Sequence, residues 1–91
     1  MTNSRKDSKK MLIKSLDSKV VINTDTMTCM YIDRKEKTIY CTITHSEDEI
    51  GCILGKFETE DIAQQVFDLL CKCMQDGKRF VAIKSDKIEA I

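Results

Sequence analysis

The chain reads as an α+β protein: an antiparallel sheet of about five strands, one amphipathic helix packed on one face, and a short C-terminal strand. Three observations predict it. Residues 28–33, 38–44 and 50–57 read as strands, and in the middle one Ile39, Cys41 and Ile43 alternate with Thr38, Tyr40, Thr42 and Thr44, as a half-buried antiparallel strand should. Folded together around residues 34–37 and 45–49, they bring like to like: Met30 faces Cys41, Ile32 faces Ile39, Ile43 faces Ile50, Cys41 faces Cys52 and Ile39 faces Leu54. A slip of one residue reverses a strand's faces, so this agreement sets the register. Third, Ile62, Val66, Leu69, Leu70, Cys73 and Met74 recur at helical spacing, with Ala63 and Phe67 widening the stripe.

The remaining elements follow in chain order. Residues 1–10 carry Arg5, Lys6, Lys9 and Lys10 against Asp7, are polar and lack periodicity, and read as a disordered basic arm. Residues 11–91 read as a single α+β domain. Residues 11–15 and 20–23 are short apolar runs around a tight turn at Asp17-Ser18, with Ile13 facing Ile22 and Ser15 facing Val20. Asn23, Thr24, Asp25 and Thr26 interrupt the pattern as a second turn. Thr59 is placed to N-cap a helix starting at Glu60, with Glu60 and Asp61 near its positive end. Gly77 suits its C-terminal cap, and Lys78 and Arg79 complement the negative end. Residues 80–85 then read as a sixth short strand or a tail along a sheet edge.

Composition narrows the function classes. A chain of 91 residues is near the lower size at which a core alone supports a fold. No apolar stretch has the length of a membrane span, and no basic start precedes a long apolar segment, so neither membrane insertion nor export is expected. Five cysteines lack the spacing of a secreted disulfide scaffold and point to the cytoplasm, with thiols reduced. The zero net charge divides into +3 over residues 1–10 and −3 over the rest. An acidic body is a poor match to a dedicated nucleic-acid binder, whose affinity rests on neutralising phosphate.

No enzyme, cofactor or metal site is expected. His45, the one histidine, sits in an acidic loop with no nucleophile and no orienting group beside it. Cys71 and Cys73 lie two apart on a helix and point in widely separated directions, so they cannot share one ion. The facing Cys41 and Cys52 are within reach of a bridge, but read as small buried hydrophobes. Gly51 and Gly55 lie inside a strand pattern rather than between strand and helix, so they form no phosphate loop.

Binding is the remaining class, and the second face of the sheet carries it. Tyr31 lies opposite Tyr40, Tyr40 opposite Ile53, bare glycines flank Ile53, and Phe57 continues the same face. One helix cannot cover both faces, so Tyr31, Tyr40, Ile53 and Phe57 form a candidate apolar interface with a host protein or a second copy in a homo-oligomer. Glu47, Asp48 and Glu49 add an acidic contact. In an alternative reading, an oligomer sequesters a small anionic signalling nucleotide at a subunit seam, with Arg34, Lys35, Lys78 and Arg79 as phosphate contacts. In a third, the tyrosines stack the bases of a single-stranded nucleic acid, though the basic groove that usually accompanies such a platform is lacking.

Residues Met11-Leu-Ile-Lys-Ser15 followed by Lys19-Val-Val-Ile-Asn23 resemble the opening of small phage and prophage accessory proteins that fold as a β-meander followed by one helix. Ile53-Leu-Gly-Lys-Phe57, followed by Thr59-Glu60, Ala63 and Val66-Phe67, is similar to their junction between last strand and helix. The resemblance spans about residues 11–83, and the basic arm and the cysteines depart from the pattern. It implies an accessory protein of a mobile element that binds and blocks a host-defence macromolecule, and it carries over no catalytic residue.

Overall fold

The computed structural model describes residues 10–90. They form the α+β structure that the sequence predicts, with seven strands and one helix: β1 (Leu12–Lys14), β2 (Val21–Asn23), β3 (Met27–Asp33), β4 (Thr38–His45), β5 (Asp48–Lys56), α1 (Glu60–Asp76), β6 (Phe80–Ile83) and β7 (Ile88–Ala90). The expected arm lies, apart from the exposed Lys10, outside the described residues.

The strands divide between two sheets, which corrects the expectation of one. The first has the order β2-β1-β6-β7 and the second β3-β4-β5. The division begins at a 3-10 turn over Thr24–Thr26. Asn23 accepts the Asp25 N–H at 2.9 Å through its side chain, and the Thr26 hydroxyl donates to the Asn23 carbonyl at 2.8 Å. Thr24 is tied to Met11 by its N–H (2.9 Å, to the Met11 carbonyl) and by its Oγ1 (3.0 Å, from the Met11 N–H). These bonds end the β1–β2 hairpin and turn the chain into a new sheet. β6 then returns to pair parallel with β1, Val81 beside Ile13, and β7, which the sequence reading did not foresee, pairs antiparallel with β6. The Ile13–Ile22 pairing of β1 with β2 is as expected.

In the second sheet the expected partners Met30–Cys41, Tyr31–Tyr40, Ile32–Ile39, Ile43–Ile50, Cys41–Cys52 and Tyr40–Ile53 are all present. The Ile39–Leu54 pair is not. A β-bulge between Ile39 and Tyr40 sets Ile39 against Gly55 and leaves Leu54 as the extra residue. The carbonyl of Leu54 instead accepts the Leu16 N–H at 2.8 Å, so the β1–β2 turn is joined to β5. Past the bulge the faces of β5 are exchanged. Phe57, expected on the outer face, is 6% exposed and belongs to the core, where its ring covers Gly55.

The helix begins and ends where its caps dictate. Thr59 Oγ1 accepts the Ile62 N–H at 3.1 Å, and Gly77 closes the last turn at φ 74°. It packs against β3 and β4 of one sheet and β6 and β7 of the other. Ala63, Val66, Leu70 and Cys73 on its buried side meet Ile39, Cys41 and Leu54 from the second sheet and Met11, Ile13, Val81 and Ile83 from around the first, in one apolar cluster. Each large side chain buried this way contributes about 1.5–3 kcal/mol.

Candidate interaction face

The helix covers the side of the second sheet that bears Met30, Ile32, Ile39, Cys41 and Leu54, and the opposite side stays open. On it Tyr31 and Tyr40 stack across β3 and β4, ring centroids 5.3 Å apart and planes inclined by 20°. Such a pair adds about 0.5–1.5 kcal/mol beyond the area it buries, so each ring helps hold the other in place. Ile53 stands beside Tyr40 and is 58% exposed; Tyr31 is 46% exposed. Gly51 contributes bare backbone, with no atom within 4 Å of where its side chain would begin. Thr28 and Thr42 share a hydrogen bond between their hydroxyls at 2.7 Å, a polar pair beside the rings that the alternation of the sequence did not reveal.

The ends of this face are charged with opposite sign. Glu49 pairs with Thr44, two steps along β4 from Thr42, and so lies on the face that carries Tyr40. At the other end the bulge puts Lys56 opposite Thr38, on the outer-face position that uninterrupted alternation assigns to Gly55. The outer face therefore runs from an acidic end, through Gly51, Ile53 and the tyrosines, to a lysine. Glu47 and Asp48, both exposed at the hairpin tip, extend the acidic end. An open cleft of about 240 Å³ adjoins Ile53 and is lined by Leu16, Asp17, Leu54, Gly55 and Lys56. Asp17 Oδ1 accepts the Ser15 hydroxyl at 2.6 Å and the Lys19 N–H at 2.9 Å, and these bonds, Ser15's first, hold its carboxyl below the usual aspartate range.

The four basic residues considered for an anionic ligand do not converge within one chain. Arg34 and Lys35 sit in the β3–β4 loop, whose Lys37 carbonyl accepts the Phe57 N–H at 2.8 Å, close to the start of α1. Lys78 and Arg79 follow its end, and a helix of 17 residues is about 25 Å long. All four are exposed. Cys71 is exposed and Cys73 buried, on different sides of the helix as their spacing predicts, and of the cysteines expected to be buried Cys41 is, whereas Cys52 is only half-buried. Burial raises the pKa of both thiols, and for Cys71 the Asp68 carboxylate adds to it. Among the described residues no group of three or more His, Cys, Asp or Glu side chains is arranged to hold a metal ion, and no helix is long and apolar enough to cross a membrane.

Comparison of the chain with protein-family models, curated proteins and solved structures finds no match.

Proposed function

We propose that the protein is a non-enzymatic binding protein whose contact with other proteins, a second copy of itself among them, is the outer face of β3, β4 and β5. The observation that carries this reading is the stacked Tyr31–Tyr40 pair next to Ile53, a rigid apolar patch left open beside bare glycine backbone. Pre-ordered aromatic rings lose little entropy on binding and are the residue type on which contact energy concentrates. The charged ends support self-association. A two-fold axis lying in the contact and running across the strands lays the Glu49 end of one copy over the Lys56 end of the other.

Native mass spectrometry and sedimentation of the reduced protein test this. The wild type is expected to self-associate, and Tyr40→Ala with Ile53→Ser to remain folded but monomeric. Lys56→Glu alone should weaken association and Lys56→Glu with Glu49→Lys restore it. An unchanged state in the double patch variant sinks the assignment. The narrower reading, an accessory protein of a mobile element that occupies a host-defence macromolecule, rests on the resemblance of residues 11–23 and 53–67. Its test is phage plating on defended bacterial hosts: the protein should raise plaque counts and the patch variant should not. Equal counts for both remove it.

A further inference from the structure

Cys41 and Cys52 are Cα partners on β4 and β5. Their position in the hydrogen-bond pattern follows from the hairpin. Ser46 and Glu47 form a two-residue turn with φ of 50° and 76°, closed by the pair His45–Asp48. That pair exchanges both backbone hydrogen bonds, and alternation carries the bonded positions to Ile43–Ile50 and then to Cys41–Cys52, with no bulge between. Bonded partners have Cα atoms about 5.5 Å apart, inside the roughly 4.4–6.8 Å window of disulfides. Their Cβ atoms, at the wide end of about 4.5–5.5 Å, exceed the roughly 3.5–4.5 Å that an unstrained bridge prefers. A bond here is therefore reachable, but strained and easily reduced, the character of labile rather than structural disulfides.

Access differs between the two sulfurs. Cys41 is fully buried, whereas Cys52 is half-buried on the outer strand β5. We propose that Cys41 and Cys52 form a redox-sensitive pair that a small peroxide converts reversibly into a cross-strand disulfide beneath the Tyr40–Ile53 contact. The Cys52 thiolate attacks hydrogen peroxide, breaking its O–O bond, to give a sulfenic acid and hydroxide. The Cys41 sulfur then attacks the sulfenic sulfur. A sulfur–sulfur bond forms, the S–O bond breaks, and the departing hydroxide takes the Cys41 proton as water. Two thiols are oxidised and one peroxide is reduced to two waters. Burial, and after it the facing Cys52 thiol, push the Cys41 thiol up to about 11, which keeps it protonated and excludes it from the first step, while its pairing with Cys52 holds it beside the sulfenic sulfur for the second.

Tyr40 and Ile53 form the next pair in the ladder, between this pair and the bulge. Drawing the Cβ atoms together strains the ladder at the point that sets how those two side chains present themselves.

The sequence provides a clean readout. Trypsin releases residues 38–56 as one peptide that holds Cys41 and Cys52, no other cysteine and no methionine. Full-length reduced protein is treated with hydrogen peroxide, alkylated with iodoacetamide and digested. The expected result is a 38–56 peptide lighter by two hydrogen atoms and carrying no alkyl group, with the other three cysteines still alkylated. Brief dithiothreitol should restore two alkylation sites. Cys29→Ser should leave the bridge unchanged and Cys52→Ser should abolish it, circular dichroism verifying that each variant is folded. A doubly alkylated peptide after peroxide, a singly oxidised Cys52 that never loses its oxygen, or a dimer linked through Cys29 would each overturn the proposal.

Discussion

Gly51 and Gly55 flank Ile53 symmetrically in the sequence, yet their surroundings demand different things of them. A Cβ on Gly51 meets no atom within 4 Å, whereas one on Gly55 lies 2.9 Å from Phe57 Cζ and 3.1 Å from Leu16 Cβ. Phe57 is buried and cannot swing out without opening the core, so space at Gly55 is what lets the ring close over β5. Gly51→Ala is expected to leave the fold intact and to raise stability by up to about 0.5–1 kcal/mol, since glycine in a strand interior carries excess unfolded-state entropy. Gly55→Ala should cost about 1–3 kcal/mol through overpacking. Urea unfolding of the two variants checks both signs, and equal midpoints would mean that the Phe57–Gly55 contact does not hold the ring. The pairing of Ile50 and Cys52 with Ile43 and Cys41 was legible, and so were Tyr31, Tyr40 and Ile53 as neighbours. Phe57 was misplaced because one extra residue at Leu54 exchanges the faces beyond it. A glycine inside a strand can mark a bulge, but with Gly51 and Gly55 both present the sequence does not tell which of them the shift adjoins.

Among the elements, those defined by local chemistry were legible and those defined by distant pairing were not. Thr59 and Gly77 bound α1 in sequence and in structure because capping is decided within one turn of chain. The parallel pairing of β6 with β1 brings together segments more than sixty residues apart, and only the filled core between them selects it. The β4–β5 hairpin lies between these cases. Its partners were readable, but its loop is only Ser46 and Glu47, both at positive φ, where the sequence suggested a five-residue connection. A turn of this type favours asparagine followed by glycine, and an ordinary L-residue there costs roughly 1–2 kcal/mol. Ser46→Asn with Glu47→Gly should therefore stabilise the protein by about 1 kcal/mol and leave the register unchanged. A melting temperature that stays level or falls would show that a wider loop replaces this turn. The same variant removes one acidic side chain from the hairpin tip but keeps Glu49 on the face, so self-association should persist if Glu49 and Lys56 supply the complementarity.

At the scale of the whole molecule, the two sheets are joined through α1, the apolar cluster beneath it and the Leu16–Leu54 hydrogen bond. Neither short sheet is self-sufficient: β1, β2 and β7 have three residues each, and the second sheet has only one covered face. Both depend on the same side of α1, where Ala63, Val66 and Leu70 are fully buried. Loss of that contact should therefore dissolve both sheets at once rather than release one of them. Leu70→Ala removes a side chain from the cluster and is expected to cost about 3 kcal/mol, a large part of the stability of so small a protein. Its unfolding should remain a single transition, at the same midpoint by far-ultraviolet circular dichroism and by alkylation of Cys41. Cys41 lies in the second sheet and reports on β4, while the dichroism averages over all elements. If the thiol became reactive well before the dichroic change, the second sheet would be opening alone, and α1 would be anchored to the first sheet rather than bridging the two. Coincident midpoints would also give the Cys41–Cys52 pair a defined setting: of these two, only the half-buried Cys52 meets oxidant in the native state, and Cys41 becomes available to it through their pairing rather than through unfolding.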